Sequence, residues 1–478
     1  MEHSAEEYIN ELINRNLVSY EVRYGYAKLC KVHDLFHELI LTRIDDCCFC
    51  HVFSENKFRL NGRSRRLSNY GNIKNALNAI RDSKIRSIFL FDDDELTDSL
   101  LIRMFENFKL LKVLDFRNAP LHKLPKEVGS LFKLKYLDLR GTKVEMLPKS
   151  IGKLNNLQTL DVSYTLVREL PIEINKLRYL RHFYAFSVDE GNELSLCSYR
   201  GVRIHDGIGR LVDLQTLTCV EAYSSGVGFV KELHKLRKLR CLNILKMTAE
   251  MLKALGNSIE NMKHLDELYL TAINADEVLV LDCNISSPPT LLCNLVLNCR
   301  LQKIPSWISE LQNLQGLQLT FSRLIDEPLK YLKGFPNLAF LCLHQAYDGE
   351  ELHFNEGSFQ KLKQLEIRKL EALEVLKIDR GALPLLEKLT IGPSPLMEMP
   401  SNFQHLQNLK SLDIFDMQRE FVIALQPNGG TDHGKIQHIP SVQFNYYTSK
   451  GMNYYSYKLG SSELEQHLEE QANRSTPT

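Results

Sequence analysis

One stretch of the chain, residues 111–180, repeats a single apolar pattern at a fixed interval. Leu111, Leu134, Leu157 and Leu180 each open a copy, and each copy begins 23 residues after the last. The second copy reads LKYLDLRGTKVEMLPKSIGKLNN, with L-x-x-L-x-L at its head. A period of about 20–29 residues with this heading is typical of a leucine-rich-repeat solenoid, in which each unit buries its apolar face only by stacking on its neighbours.

The residue types within one repeat predict where each side chain points. Leu134, Leu137 and Leu139 are expected to face the core from a short strand, because successive side chains lie on opposite faces of a strand. Thr142 falls where the chain turns, and its hydroxyl can bond to backbone groups that the turn leaves unpaired. Pro148 has no N–H to donate, so it prevents the strand from continuing.

The pattern continues beyond the three clear copies with one interruption. The interval from Leu180 to Leu214 widens to 34 residues, and the extra residues lie in a polar, glycine-containing loop at 186–207. Later strand heads follow at intervals of 22 to 27 residues. A second L-x-x-L-x-I at Leu373–Ile378 predicts a strand on the convex side. The sequence therefore predicts an α/β leucine-rich-repeat solenoid with a curved parallel β-sheet on its concave face.

The first 60 residues contain no repeat. Helical spacing at Tyr8, Ile9, Leu12 and Ile13 is followed by a β-ribbon with Gly25 at its turn and a second helix over 32–44. This order indicates the end of a winged-helix-like unit. We therefore predict four regions: 1–60, the C-terminal part of a winged-helix domain; 61–84, a connector; 85–416, the solenoid; and 417–478, a polar C-terminal tail that is disordered or marginally helical.

Composition excludes some classes of function. Lys and Arg total 59 and so do Asp and Glu, so no global basic field favours nucleic acid as a partner. No apolar run approaches the ~20 residues that span a membrane. The eleven cysteines are scattered, as expected for reduced thiols in a cytosolic protein. We expect a cytoplasmic chain, with peripheral association at the plasma membrane as the alternative.

Two clusters could suggest metal chemistry. His33 and His37 lie four apart on one predicted helix face, but the Glu of the zinc-protease spelling is replaced by Asp34, and no third ligand follows at a familiar spacing. The run Cys47-Cys48-Phe49-Cys50-His51 lacks the second ligand pair of a structural zinc site. We predict no enzyme activity and no metal. A small metal-dependent enzyme that uses His33 and His37 is the alternative from another class.

The concave surface is the stronger candidate for function. Its strand positions alternate outward with Tyr and Arg, which are enriched in binding hot spots because they offer large area or bidentate hydrogen bonds. We predict that it binds a protein partner. The candidate residues are Arg117, Tyr136, Asp138, Arg140, His182, Tyr184, Phe186, Tyr269, Phe340, His344 and Arg368, with Phe415 at the C-terminal end.

Four features of the sequence together resemble a known family. They are Lys31-Val32-His33-Asp34-Leu35, the RRLS connector, the repeats spelled LxxLDLRGTxVxxLPxxIGxL and the HIP segment at His438–Pro440. The chain resembles, over almost its whole length, the plant nucleotide-binding leucine-rich-repeat immune receptors of the coiled-coil class. Val32-His33-Asp34 lies at the position of the Met-His-Asp motif of this family, with valine in place of methionine.

The resemblance implies a mechanism. In such receptors the His of this motif lies close to the β-phosphate of ADP, which by position gives His33 a nucleotide-sensing role with Asp34 as its support. The repeats hold the nucleotide-binding domain inactive until a pathogen effector, or a host protein altered by one, is recognised. ATP then replaces ADP and the receptor oligomerises.

The sequence departs from this family because the phosphate-binding loop, the rest of the nucleotide-binding domain and the coiled coil do not precede residue 1. We therefore expect ADP or ATP only in a full-length receptor and no cofactor in this chain alone. The expected partners are an upstream nucleotide-binding domain, joined in the same chain or added in trans, and an effector or guarded host protein. The alternative is a stand-alone repeat scaffold from a truncated receptor gene.

Overall fold

The structure of the chain is a computed structural model. It describes residues 2–23, 27–33, 36, 38–40, 43, 50–53, 65–69, 84–91, 96–188, 199–221, 226–281, 285, 287–448 and 454–475. Gly25, Asp34, His37, Cys47 and Cys48 lie outside these residues. Among the helices of the described ranges, none is long and apolar enough to cross a membrane.

Short strands account for most of the regular structure. They are β1 Val18–Arg23, β2 Ala27–Val32, β3 His51–Phe53, β4 Arg66–Asn69, β5 Ser87–Leu90, β6 Val113–Asp115, β7 Tyr136–Asp138, β8 Thr159–Asp161, β9 His182–Tyr184, β10 Ser187–Val188, β11 Tyr199–Arg200, β12 Val202–Arg203, β13 Thr216–Glu221, β14 Cys241–Met247, β15 Glu267–Ala272, β16 Asn294–Asn298, β17 Gly316–Thr320, β18 Phe340–His344, β19 Glu351–Phe354, β20 Gln364–Arg368, β21 Val375–Ile378, β22 Lys388–Ile391, β23 Ser411–Phe415, β24 Ser441–Tyr447 and β25 Tyr454–Lys458.

Helices lie between the strands and at the two ends of the chain. The α-helices are α1 Glu2–Asn14, α2 Asp98–Asn107, α3 Gly226–Glu232, α4 Ala249–Ile259, α5 Leu329–Leu332, α6 Arg419–Ala424, α7 His433–Ile436 and α8 Ser462–Ser475. The 3₁₀ turns are Lys126–Ser130, Lys149–Lys153, Ile172–Lys176, Ile208–Arg210, Leu233–Lys235, Ser306–Glu310 and Phe403–His405.

One long parallel sheet confirms the predicted solenoid. Strands β3 to β9 pair in order, β9 pairs with β13, and the sheet continues through β14 to β18, β20, β22, β23 and β24. The register places equivalent residues of successive repeats side by side, so that Asp115, Asp138 and Asp161 form one row. Because of this register, a residue three repeats away in sequence can belong to the same surface.

The core is a continuous column of aliphatic side chains. Leu134, Leu137 and Leu139 are fully buried, as the alternation predicts. The Thr142 hydroxyl donates to the Leu139 carbonyl oxygen at 2.7 Å, which confirms its predicted role in the turn. Pro148 immediately precedes a 3₁₀ turn on the opposite side of the coil.

Asparagines and glycines hold the coils close together on that side. Asn156 Nδ2 donates to the Phe132 carbonyl oxygen of the previous repeat at 2.7 Å. The same bond recurs from Asn313, Asn337 and Asn408 at 2.8 to 2.9 Å. A Cβ added to Gly152 would lie 2.6 Å from the Glu173 carbonyl oxygen, so this glycine permits the close stacking of neighbouring 3₁₀ turns.

The N-terminal segment is a helix followed by a hairpin. Strands β1 and β2 pair antiparallel from Val18–Val32 to Arg23–Ala27, which confirms the ribbon predicted there. The predicted second helix begins too early, because β2 includes Val32 and the described helical residues start at Phe36. The convex-side strand predicted at Leu373–Ile378 is confirmed, since β21 pairs parallel with β19 outside the main sheet.

The sheet extends past two of the predicted boundaries. The connector at 61–84 contains β4, which pairs with β3 and β5, so the sheet begins before residue 85. Among the described residues of the predicted tail at 417–478, β24 pairs parallel with β23, and β25 pairs antiparallel with β24, so disorder is the wrong prediction for these strands. The helical alternative agrees with α8 at Ser462–Ser475. Leu464 and Leu468 of α8 are buried against this end of the solenoid. This unit covers the last repeat, as a terminal cap of a solenoid must.

Candidate functional site: the concave face

The predicted concave residues lie in three parallel rows. Residues such as Tyr136 and His182 occupy the first row, Asp138 and Tyr184 the second, and Arg140 and Phe186 the third. The register therefore aligns equivalent side chains of successive repeats. The exposed fraction of these side chains differs widely along the sheet, and it determines which of them can contact a partner.

Three buried aspartates run along the start of the concave face. Asp115, Asp138 and Asp161 are 5%, 0% and 1% exposed, and neighbouring strands of a sheet lie only about 4.8 Å apart. In each repeat the Oδ1 atom accepts the backbone N–H two residues later, at 2.8 to 2.9 Å. This local bond turns the chain at the end of each strand and fixes the carboxylate.

Arginines join each aspartate to the next repeat. Arg117 Nη2 lies 3.0 Å from Asp138 Oδ2 and 3.7 Å from Asp115 Oδ2, so one guanidinium bridges two carboxylates. Arg140 donates to Asp161 Oδ2 through Nη2 and also through Nε, at 3.2 Å. The Tyr136 hydroxyl donates to Asp138 Oδ2 at 2.9 Å. The three carboxylates are thus neutralised within the protein.

Burial and repulsion shift the acidity of this row. Burial raises the pKa of Asp115 and of Asp161 above the ordinary value, and the charge of Asp138 raises both further. Burial also raises the pKa of Tyr136, as does the adjacent Asp138 carboxylate, so this hydroxyl stays protonated and donates. Burial lowers the pKa of Arg117, but its hydrogen bond to Asp138 and the charges of Asp138 and Asp115 together outweigh burial, so the net shift of this pKa is upward. The row is a fixed set of ion pairs rather than a reactive site.

The charged row gives way to aromatic side chains in the next repeats. His182 and Tyr184 lie nearly parallel with ring centroids 6.3 Å apart, and His182 Nδ1 is 3.0 Å from Thr216 Oγ1. Phe186 contacts Tyr164 edge-on at 5.5 Å and Tyr199 at 6.3 Å. His182, Tyr184 and Phe186 are all half-buried, which leaves part of each ring available for contact.

The C-terminal part of the face contains a second aromatic group. Arg368 lies over the ring of Phe415 at 4.3 Å, and Phe415 contacts Tyr447 and Tyr454 at 5.8 and 5.5 Å. Gly392 lies between Arg368 and Phe415, and a Cβ there would come within 3.1 Å of Arg368 Cα and Cγ. Only a glycine lets the arginine reach the ring without a shift.

The remaining predicted residues contribute unequally. Phe340 is half-buried, whereas Tyr269 and His344 are 6% and 7% exposed. The Tyr269 hydroxyl donates to Glu267 Oε2 at 2.9 Å, and His344 packs against Phe321 with ring centroids 5.7 Å apart. Tyr269 and His344 are therefore buried, as Asp138 is, and they support the concave face rather than offer it contact area.

His33 lies apart from the concave face, just after β2. Its ring is exposed and meets Phe36 edge-on with centroids 6.4 Å apart, and its carbonyl oxygen accepts from the Phe36 N–H at 2.9 Å. Asp34 lies outside the described residues, so His33 is the member of the predicted His33–Asp34 pair that can be located. Within the described ranges, no group of three or more His, Cys, Asp or Glu is placed to hold a metal ion.

Sequence reasoning missed Gly392, Tyr447 and Tyr454. The glycine stands in register with Arg368 on the preceding strand, where its lack of a side chain marks a close approach. The two tyrosines belong to the region that was interpreted as a tail. An L-x-x-L-x-L-like pattern at Ile439, Val442 and Phe444, all buried, was the available signal for a further repeat.

Comparison with known proteins gives the family. The leucine-rich repeat region matches residues 84–424, and the disease resistance protein winged helix domain matches residues 1–40. The disease resistance protein RPM1 of Arabidopsis thaliana is 35% identical over 464 residues, which cover 95% of this chain and 49% of that protein. The disease resistance protein RPP8 of the same plant is 29% identical over 467 residues, 93% of this chain and 49% of that protein.

A solved leucine-rich-repeat protein of Leptospira interrogans aligns at 18% identity with a TM-score of 0.45, covering 82% of this chain and 100% of that chain. The chain spans about half the length of the curated relatives it matches. A winged-helix match at 1–40 and then a repeat region at 84–424 is the order that the sequence resemblance implied. The chain belongs to the leucine-rich-repeat family of plant disease-resistance proteins.

Proposed function

We propose that the chain is the sensor and autoinhibitory region of a cytoplasmic plant immune receptor, and that it acts by binding proteins. The observation that supports this most directly is the combination of a disease-resistance winged-helix segment with a repeat sheet whose concave face carries half-buried aromatic and arginine side chains. The partner on the concave face is a pathogen effector or a host protein altered by one. No reaction is assigned to the chain.

Exposed apolar side chains near the N-terminus support a contact with a further domain. Tyr8, Ile9 and Leu12 of α1 are 69%, 43% and 39% exposed, although their spacing is that of a helix face made for burial. Phe36, Leu39 and Ile40 are similarly exposed in the helical residues after β2. A patch of this kind marks an interaction surface. In the proposal it packs against the upstream half that the relatives possess and this chain does not include.

The nucleotide enters the proposal only through that upstream half. The exposed ring of His33 carries two nitrogen atoms that can donate to a phosphate, so it fits a contact with ADP from a neighbouring domain. Asp34 would support the ring. When ADP is bound between the domains, it holds the receptor in its inactive state. The contribution of this chain is to present His33 and to hold the domain interface closed.

Co-expression with a separate upstream half tests the proposal. The probe is the nucleotide-binding half of RPM1, purified with this chain by size-exclusion chromatography in the presence of ADP. We expect co-elution, because the exposed patch on α1 needs a partner. Replacing Leu12 with Glu should weaken co-elution at least about tenfold, since a charge would then be buried in an apolar interface.

The control is Tyr331→Ser, which removes a 50% exposed aromatic ring from a helix in the repeats. It should leave co-elution unchanged. Failure of the unsubstituted pair to associate, with both proteins folded by circular dichroism, would favour the stand-alone scaffold.

A further inference from the structure

A surface cavity lies where the repeat period breaks. It has a volume of about 260 Å³ and lies between the turn at 162–168 and two short segments, 185–188 and 200–202. The two short segments lie within the 34-residue interval between Leu180 and Leu214. Insertions that interrupt a regular scaffold are places where function is frequently located.

The size of the cavity restricts its occupant. Sites for cofactors and drug-sized ligands have volumes of about 300–1,000 Å³, so this cavity suits a single side chain from a larger partner. Its floor is apolar, with Val162, Val167, Ala185 and Val202 buried. This floor offers contacts to an aliphatic or aromatic side chain, and the lining also includes polar side chains such as Thr165, Ser187 and Arg168.

Tyr164 gives the cavity an apolar wall at a structural cost. It occupies the turn position equivalent to Asn118 and Gly141, and all three have positive φ, of 56°, 59° and 71°. Asn and Gly tolerate this conformation, whereas a bulky residue is disfavoured there. Tyr164 nevertheless remains 48% exposed, and Leu166 beside it is 46% exposed. Bulky residues with positive φ also occupy this turn position in later repeats, as Phe321 and Lys369 do, so it is the exposure of Tyr164 that bears on binding.

Arginines add a positive charge to the rim. Arg168 and Arg200 both line the cavity. Two carboxylates of the adjacent segments already have partners, because Glu169 Oε1 lies 2.9 Å from His205 Nε2 and Glu221 Oε1 lies 2.9 Å from Lys246 Nζ. Across the described residues Arg168 forms no ion pair, so its charge is available to a carboxylate from outside.

We propose that this cavity is a docking site for a partner protein segment that presents an apolar side chain next to a carboxylate. The apolar side chain enters between Tyr164 and Leu166, and the carboxylate accepts from Arg168. The inference rests on the proposed protein-binding function and names the chemistry of the partner at one place. The site is separate from the charged row at Asp115–Asp161, where every carboxylate is already paired.

Short peptides of defined composition test the site. The probes are acetylated and amidated hexapeptides, Gly-Ser-Glu-Leu-Ser-Gly and three relatives with Gln-Leu, Lys-Leu or Glu-Ser at the centre. Binding is measured by saturation-transfer NMR on the peptide protons, titrated against the full chain. We expect the Glu-Leu peptide to bind with a Kd on the order of 1 mM, since a small fragment offers few contacts. The other three should bind at least about fivefold more weakly.

Variants locate the binding. Arg168→Gln should remove the preference for Glu over Gln, and Tyr164→Asn should weaken all leucine peptides while leaving the unfolding midpoint equal or higher. The control is Lys143→Gln, which removes an exposed cation from the equivalent position of Leu166 in the preceding repeat. It should change nothing.

Equal binding of all four peptides, or binding that the two cavity variants do not alter, would overturn the docking site. Co-elution with an upstream domain is measured independently, so a negative peptide result with normal co-elution refutes the cavity alone. Loss of co-elution with intact peptide selectivity refutes the domain arrangement instead.

Discussion

Asp138 should be the residue of the charged row on which stability depends most. It is fully buried and accepts three hydrogen bonds, from the Arg140 N–H at 2.8 Å, the Tyr136 hydroxyl at 2.9 Å and Arg117 Nη2 at 3.0 Å. The substitution Asp138→Ala removes all three acceptors at once. The donors that remain differ in how easily water can reach them.

The expected loss follows from that difference. The backbone N–H of Arg140 and the Tyr136 hydroxyl are partly enclosed, and a buried donor without an acceptor costs about 1–3 kcal/mol. The Arg117 side chain is 40% exposed, so water recovers most of its solvation and its ion pair adds under about 1 kcal/mol. Removing the central charge also relieves repulsion between Asp138 and its two neighbours. We therefore expect Asp138→Ala to lower the free energy of unfolding by about 2–3 kcal/mol, less than the 3–5 kcal/mol of a fully buried pair.

Urea denaturation followed by circular dichroism measures this loss, with the slope checked for each variant because repeat proteins can lose cooperativity. Arg117→Met is the matched control and should cost less than about 1 kcal/mol, because it leaves the backbone N–H bond in place. Asp138→Asn keeps an acceptor for that N–H and should lie between the two. A loss below about 0.5 kcal/mol for Asp138→Ala, or one equal to that of Arg117→Met, would refute the reasoning.

Three further predictions follow from other contacts. Gly392→Ala should cost about 1–2 kcal/mol in thermal unfolding, because its methyl group meets Arg368 and moves the guanidinium off its ring; an unchanged midpoint would contradict this. Asn156→Ala should cost about 1 kcal/mol by losing its bond to the previous coil, whereas the neighbouring Asn155→Ala should cost nothing. The raised pKa of Asp161 means that the folded state binds its proton more tightly than the unfolded state. Wild type should therefore gain stability relative to Asp161→Asn as the pH falls from 7 towards about 4, and a difference independent of pH would count against the shift.

The sequence predicts the fold because the strand period within each repeat and the interval between repeats indicate the same structure. Leu134, Leu137 and Leu139 have the strand period of two, and the 23-residue interval stacks identical strands in register. Once the register is known, the concave rows follow without further assumptions. The end of the solenoid was missed because Ile439, Val442 and Phe444 carry the pattern without a single leucine, 30 residues after Leu409.

The concave site was less accessible to sequence reasoning, because its properties arise between repeats. Alternation correctly puts Asp138 on the concave face, but it does not show that Tyr136 and Arg117 cover it. Both contacts depend on rotamers, and one of them joins residues 21 positions apart. The cavity beside Tyr164 depends on residues 185–188 and 200–202, for which the sequence carries no periodic signal.

The concave face therefore has two parts, which differ in whether arginines pair with the aspartates of neighbouring strands. Along Asp115, Asp138 and Asp161, the arginines that alternation exposes are used to neutralise the carboxylates of the adjacent strand. Such a row is stable and selective against like charge, but a partner gains little from it, because each new hydrogen bond must replace an existing one. Beyond Asp161 the row changes to Tyr184, and the arginine position changes to Ser163 and then Phe186, so the pairing stops. Binding energy is available where that pairing ends, which is also where the period breaks and the cavity opens.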